Sequence, residues 1–445
     1  MRLKKIAALT CVAAMAVTSL AGCGGTKTEP TTAATTAATT AAPAETPAAG
    51  GETEAPAAAG NDYSGVNLTF WSMWNSTEPQ GKVIQAAADA FKEQTGATVN
   101  IEWKGRDINT ILQAALEAGE KIDIFEDDYS RIGKIYKDHC LDLTDMAAAA
   151  GYDTTSFQCF NDVATGWAGF LPCVTEQPQV GGVFYNKDIF DECGIAVPAT
   201  WDEFLTACQT MVDKGYQPMA LDSAYAAFFF GYHLDRVIGQ AKTSELSKNG
   251  GWSADAGAVK AAQQIIDFKN AGYLADGAPD EYPSSQNKIG LTGKVAMVVC
   301  ANYVCAEING NTGTEINWGM FNYPTVDGGS GSTNAYAGAN SLAISSKCEN
   351  PQAAFDFLML LTSGQFDQQM ANEASQIPAD PNNTAPAIMN GTVEALLATE
   401  NPLDWNMGLN DNDDLKLNIR DTIIQLFEGK FATGEEFTAA LDALY

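Results

Sequence analysis

Between residues 66 and 125 the apolar residues change period four times, from two to about 3.6 and back. Val66-Asn67-Leu68-Thr69-Phe70 alternates as a strand does, and Val83, Ile84, Ala87 and Phe91 then fall on one helical face that Gly96 can end. Val99, Ile101 and Trp103 alternate again. Asp107 stands where it can cap a helix carrying Ile108, Ile111, Leu112, Ala115 and Leu116, and residues 122–125 form a short third strand. A β-α-β-α-β order predicts a parallel sheet with right-handed crossovers and helices on both faces.

The alternation resumes downstream. Residues 182–186, 217–221 and 295–300 read as strands, and Thr200-Trp201-Asp202-Glu203 reads as a capping box opening a helix that ends by Gly215. Residues 259–268 form an amphipathic helix, and Asn350-Pro351 begins another through Phe355, Leu358 and Leu361. Two α/β lobes fit this length. The segments Gln177-Pro-Gln-Val-Gly-Gly182 and Asn322-Tyr-Pro324 are the expected crossings between them.

The N-terminus follows other rules. Arg2, Lys4 and Lys5 precede an apolar run over residues 6–19, the pattern of a secretory signal over residues 1–22 and too short for a stable membrane span. Leu20-Ala21-Gly22-Cys23 resembles a bacterial lipobox, which makes Cys23 the expected lipidated N-terminus and the membrane anchor. Residues 24–62 hold 13 Ala, 10 Thr, 5 Gly and 4 Pro, too little apolar surface for a core, and so read as a disordered tether following Cys23. As a flexible coil it would reach about 35 Å.

With 25 Lys+Arg against 55 Asp+Glu the net charge is −30, and losing the three basic residues of the signal takes it to −33. Nucleic acid is therefore not an expected partner, since phosphate binding needs the cationic patches this chain lacks. Two His residues, His139 and His233, leave little for His-based catalysis or a His-rich metal site. The eight Cys of residues 63–445 could form disulfides after export, with 105 possible pairings left open, but they include no C-x-x-C and sit mostly in apolar patterns, which favours buried free thiols. No cofactor or metal is expected. Asp411-Asn-Asp-Asp414 breaks the EF-hand spacing at Leu415 and reads as a solvated loop.

In open parallel sheets ligands bind beyond the carboxyl ends of the strands. Those ends carry Trp71-Ser-Met-Trp74-Asn75, Lys104-Gly-Arg106-Asp107 and Glu126-Asp127-Asp128-Tyr129. Aromatic rings with fixed carboxylates and amides suit a sugar, whose C–H faces pack on rings while its hydroxyls take hydrogen bonds. Trp71, Trp74, Asn75, Arg106, Glu126, Asp127 and Asp128 are thus candidate contacts; for Trp71 the alternative is core packing and for the acids a solvated face. The second lobe offers Tyr232 at the end of a Phe run, and Asn302 and Tyr303 after the strand at 295–300. Trp167, flanked by small residues before the first crossing, can cover the cleft.

Several stretches carry a resemblance. They are Leu68-Thr-Phe-Trp71 with Phe91-Lys-Glu-Gln-Thr-Gly96, Tyr185-Asn-Lys-Asp-Ile-Phe190 with Thr200-Trp-Asp-Glu-Phe204, Gly293-Lys-Val-Ala-Met297, and Asn350-Pro-Gln-Ala-Ala-Phe-Asp-Phe-Leu358. In this order they resemble the extracellular solute-binding proteins, family 1, of ABC sugar importers. The resemblance implies an α/β, two-lobed type II periplasmic-binding-protein fold, each lobe a sheet flanked by helices, with hinge crossings. The lobes would be 63–178 plus 324–372 and 179–323 plus 373–445. It also implies a carbohydrate ligand, delivery to ABC permease subunits, and a monomer tethered to the outer face of the bacterial plasma membrane. Ala337-Gly-Ala-Asn340 occupies the place of a Gly-rich cleft segment, adding Asn340 to the contacts, and Asn302-Tyr303 stands where a Trp is more usual.

Two rival functions fit parts of the pattern. A secreted glycoside hydrolase also lines its cleft with Trp and paired carboxylates. A lipoprotein binding peptides or polyamines would use the acidic balance. The nucleophile-elbow, Walker and zinc-protease motifs are absent from the sequence.

Overall fold

The computed structural model describes residues 61–445. The expected signal, Cys23 and the tether up to residue 60 lie outside the described residues. Eight strands form one mixed sheet: β1 (Asn67–Ser72), β2 (Thr98–Trp103), β3 (Ile124–Asp128), β4 (Val174–Asn186), β5 (Gln217–Ala220), β6 (Val295–Ala301), β7 (Trp318–Phe321) and β8 (Ala337–Ile344). Their order is β2-β1-β3-β8-β4-β6-β5, with β7 also paired to β4.

The expected β-α-β-α-β unit is present. β1 runs parallel to both β2 and β3, and the helices Pro79–Thr95 and Ile108–Ala118 make the crossovers. Val83, Ile84, Ala87 and Phe91 are buried on one helical face as their spacing required, and Gly96 closes that helix at φ 81°. Asp107 does not cap. It takes αR geometry in a 3-10 turn at Gly105–Asp107, with no side-chain cap bond. Nor is the sheet parallel throughout, because β8 is antiparallel to both β3 and β4. The capping box at Thr200 forms with both of its bonds.

β4 belongs to both halves of the sheet. Its residues 174–180 pair with β8, while 181–186 pair with β6 and β7. At the changeover Asn302 Oδ1 accepts from Val180 N at 3.0 Å, Asn302 N donates to Val180 O, and Gly181 N donates to Tyr336 O. Gly181 is required by close approach: a Cβ there would stand 2.7 Å from the Phe228 ring and 3.0 Å from the Tyr232 hydroxyl. The first expected crossing is therefore a continuous strand.

The return lies later than Asn322-Tyr-Pro324. Tyr323 stacks on Tyr232 at 5.3 Å, Trp201 N donates to Thr325 O, and Ser330 Oγ donates to Asp235 O, so residues 323–330 pack with the second half. The buried Arg236 guanidinium reinforces this, donating to Tyr323 O, Asn322 Oδ1 and Asn334 O. The chain re-enters the first half of the sheet at β8, Ala337. Among the described residues no helix is long and apolar enough to cross a membrane. The eight Cys there are free thiols, all buried except the partly buried Cys348.

Candidate functional site

The loop after β1 is folded around one carboxyl group. Glu126, fully buried in the middle of β3 rather than in the loop after it, accepts from Ser72 Oγ at 2.9 Å, Met73 N at 3.2 Å and Trp74 Nε1 at 2.6 Å. Three donors on a charged acceptor are what a buried carboxylate requires. Arg106 lies over the Trp74 ring at 4.2 Å, donates to Met73 O, and donates to Glu78 Oε1 at 2.9 Å. Glu78 Oε2 accepts from both Asn75 N and Asn75 Nδ2, which fixes that exposed residue. Trp71 is buried under Lys104, whose Nζ is 3.8 Å from the ring centroid.

Beyond Glu126 the acids diverge in role. Asp127 is buried and committed: its Oδ2 accepts from Arg131 Nε at 2.9 Å and its Oδ1 from Asp128 N. Asp128 caps the helix Tyr129–Lys134 through Ser130 N, yet stays partly exposed, and burial raises its carboxyl above the usual range. Asn340 lies opposite Asp128 on one side and Gln177 on the other, in neighbouring strands of the same sheet. Tyr129 donates to Ala337 O, and Trp167 stands against it with ring centroids 5.0 Å apart. Lys134 Nζ is 4.1 Å from the Trp167 ring.

In the second half Tyr232 and Asn302 serve the crossing. Tyr232 is fully buried and its hydroxyl oxygen accepts from Tyr336 N at 2.7 Å; Asn302 is buried against Val180. Tyr303 is partly exposed, and burial together with Cys300 and Tyr225 pushes its hydroxyl far above the ordinary range.

An aromatic group that the sequence did not single out completes this face. Trp405 stacks on Phe228 at 4.3 Å and meets Tyr336 edge-on at 5.2 Å and Tyr225 at 6.3 Å. Its chain turns through two left-handed non-glycine residues, Asn406 at φ 62° and Met407 at φ 50°, held where a Cβ on Gly231 would strike Asn406 O at 2.8 Å. Such backbone persists only where packing fixes it, and it clusters at binding sites. Asp404, next to Trp405, is bonded to Gln240, and its charge bears on Tyr129 while that of Lys134 bears on Asp404. Tyr129 and Tyr336 each feel the charges of Asp128 and Asp404, which sets these side chains of the two halves near one another, with Trp167 beside Tyr129 and Trp405 beside Tyr336. The only available signal was a Trp in the polar loop Pro402-Leu-Asp-Trp-Asn-Met407, and no strand end pointed to it.

A separate cavity of about 440 Å³ lies beside the far end of β4, lined by Lys187, Asn317, Asn383, Met389, Asn390 and Glu394. It has no aromatic ring, whereas the side chains grouped around Tyr129 and Tyr336 include rings, an amide and acids. That group is the better candidate site.

A model of the bacterial extracellular solute-binding protein family matches residues 74–365. The melibiose/raffinose/stachyose-binding protein of Bacillus subtilis strain 168 is 28% identical over 155 residues, 34% of this chain and 35% of its own. The multiple sugar-binding protein of Streptococcus mutans is 26% identical over 202 residues, 43% of this chain and 47% of its own. The matches therefore span less than half the length of either relative. The bacterial solute receptor AcbH, described as having an exclusive preference for β-D-galactopyranose, superimposes with a TM-score of 0.68 at 17% identity. That superposition covers 86% of this chain and 97% of that one, a likeness of fold.

Proposed function

Since the chain belongs to the bacterial extracellular solute-binding proteins, with their family model matching residues 74–365, we propose that it captures a carbohydrate, an oligosaccharide, in the trough between its two halves. It hands that ligand to ABC permease subunits while anchored through a lipid on Cys23 to the outer face of the plasma membrane, as a monomer. The observation that carries this reading is the nearness of Tyr129 and Asp128, with Trp167 against Tyr129, to Tyr336 and Asp404, with Trp405 against Tyr336. Rings on both sides offer faces for pyranose C–H groups, and the carboxylates and Asn340 offer acceptors and donors for hydroxyls. The two lobes follow the resemblance except at the return, with the first crossing inside β4 and the return moved from residue 324 to near Ala337. Ligand contacts made from both lobes favour the closed arrangement by their differential affinity for it.

The acids also favour holding over hydrolysis. Glu126 accepts from three donors, Asp127 is paired with Arg131, and Asp128 caps a helix, so none is set up as a free proton donor. Thermal-shift titration of the purified protein with melibiose, raffinose and stachyose tests the assignment, with peptides and polyamines as controls. At least one sugar is expected to raise the melting temperature. Stabilisation by a peptide or polyamine alone would overturn the carbohydrate reading, and shortened oligosaccharide products would overturn the non-enzymatic one.

A further inference from the structure

Opposite the carboxyl that holds Trp74 lies a second buried acid on another strand. β4 slips register between Thr175 and Gln177, leaving Glu176 out of the ladder with β8. An extra residue of this kind re-aims its side chain, and such bulges concentrate next to binding sites. Glu176 is 2% exposed; its Oε2 accepts from Gln177 Nε2 at 3.3 Å, and its Oε1 meets no donor. The register brings it level with Glu126, because Leu342 of β8 stands opposite Glu126 on one side and opposite Val174, two residues before Glu176, on the other, and the two buried carboxyls bear on each other. Two carboxylates cannot share such a contact uncompensated, so one must carry a proton. Glu126 already accepts from Ser72, Met73 and Trp74, which keeps it the acceptor and makes Glu176 the donor.

We propose that Glu176 is a positioning residue, whose proton bridges to Glu126 and thereby fixes the carboxylate on which the Trp74 indole is seated, so that the seat of this loop depends on pH. The proposal rests on the reading of Trp74 as part of the ligand-binding face. Burial, then the neighbouring Glu126 charge, raise the Glu176 carboxyl well above its usual range, and Asp367 on the helix Gly364–Ala374 adds to the rise. The other charged groups around the pair are engaged. Arg106 lies over Trp74, Asp127 is bonded to Arg131, and Asp356 on the helix Pro351–Thr362 is bonded to Tyr63 and Asn61. Glu394 on the helix Thr392–Leu397 lines the separate cavity. When Glu176 loses its proton, two like charges face each other, Glu126 is driven off the indole, and Trp74 loosens.

The test needs no ligand. The indole N–H resonance of Trp74, assigned by Trp74→Phe, is followed by NMR in the full-length protein between about pH 5 and about pH 9, the span in which buried glutamates titrate. The wild-type signal is expected to shift along one titration centred well above the ordinary carboxylate range. In Glu176→Gln, whose amide still donates to Glu126, the signal stays at its low-pH position throughout. Should that variant not fold, Glu126→Gln must likewise abolish the titration. A wild-type resonance that does not move, or one that still titrates in Glu176→Gln, overturns the proposal. Affinity for raffinose, measured in parallel, is expected to fall on the order of tenfold across the wild-type titration and to stay level in Glu176→Gln. If the indole titrates while no sugar binds, the carbohydrate reading fails and the role of Glu176 stands.

Discussion

His233 offers a sharp test of how the second half is packed. It is fully buried, with Nδ1 3.1 Å from the Tyr323 hydroxyl and Nε2 3.1 Å from Gln264 Oε1, and the Trp201 ring lies 4.4 Å away. Burial first, then the charges of Lys260 and Arg236, hold the imidazole neutral and pull it down to about 3, against a partial rise from Gln264. The unfolded chain has an ordinary imidazole, near about 6.5. The folded value is the lower one, so the stability involved is present above about pH 6.5 and is lost as pH falls toward 3, because the unfolded state takes the proton first. Between about pH 7 and about pH 5 this linkage removes about 2 kcal/mol.

The perturbation is His233→Gln, which keeps an amide between Tyr323 and Gln264 but cannot be charged. Urea unfolding of both proteins at the two pH values gives the double difference. Raised carboxyls such as Asp367, which burial pushes up to about 7, are common to both and cancel. Wild type is expected to lose about 2 kcal/mol more than the variant on acidification, even though the variant starts less stable. Parallel profiles, agreeing within about 0.5 kcal/mol, would mean that the folded protein accommodates an imidazolium, and the burial of His233 against Tyr323, Gln264 and Trp201 would be refuted.

Other perturbations separate packing from binding. Trp405→Ala removes a partly exposed ring stacked on Phe228 and should weaken the affinity for any sugar found by thermal shift on the order of tenfold while the chain still folds; calorimetric titration decides, and unchanged affinity would remove Trp405 from the site. Gly181→Ala places a Cβ 2.7 Å from the Phe228 ring and should cost about 1–3 kcal/mol in urea unfolding, with no loss indicating a crossing looser than described. Thr200→Ala removes the cap on Glu203 N and should cost about 1 kcal/mol by the same measurement, leaving sugar affinity unchanged.

What could be read from the sequence was what local periodicity and local chemistry decide. The crossover helices, the left-handed glycine at Gly96 and the capping box at Thr200 follow from neighbours within a few residues. Asp107 shows the limit of that reasoning. Its side chain suited a cap, but a 3-10 turn brings Gly105 against Asn75 and leaves Asp107 with αR backbone, a decision made by a contact 30 residues away. The return crossing escaped for the same reason, because Tyr323 is held by Tyr232, Trp201 and Arg236 rather than by anything near Pro324.

The candidate site divides along the same line. Strand ends drew attention to Trp74 and to the acids of β3, yet side-chain type alone could not distribute roles among three adjacent carboxyls. Their partners do: Arg131 takes Asp127, the helix at Tyr129 takes Asp128, and Trp74 takes Glu126. The same contrast bears on the surplus of acid. A net charge of −30 suggests a cation as ligand, but the carboxyls of the candidate site are either bonded to donors or raised by burial toward neutrality, so the field around them is weaker than the composition implies. Under the proposed reading, a site of rings and of acids whose charge is already engaged discriminates by shape and hydrogen bonding, which suits a neutral polyol better than a polyamine. Spermidine should accordingly give no thermal shift even at low salt, where an unspent negative field would be strongest; a shift that fades with added salt would show that the charge is available after all.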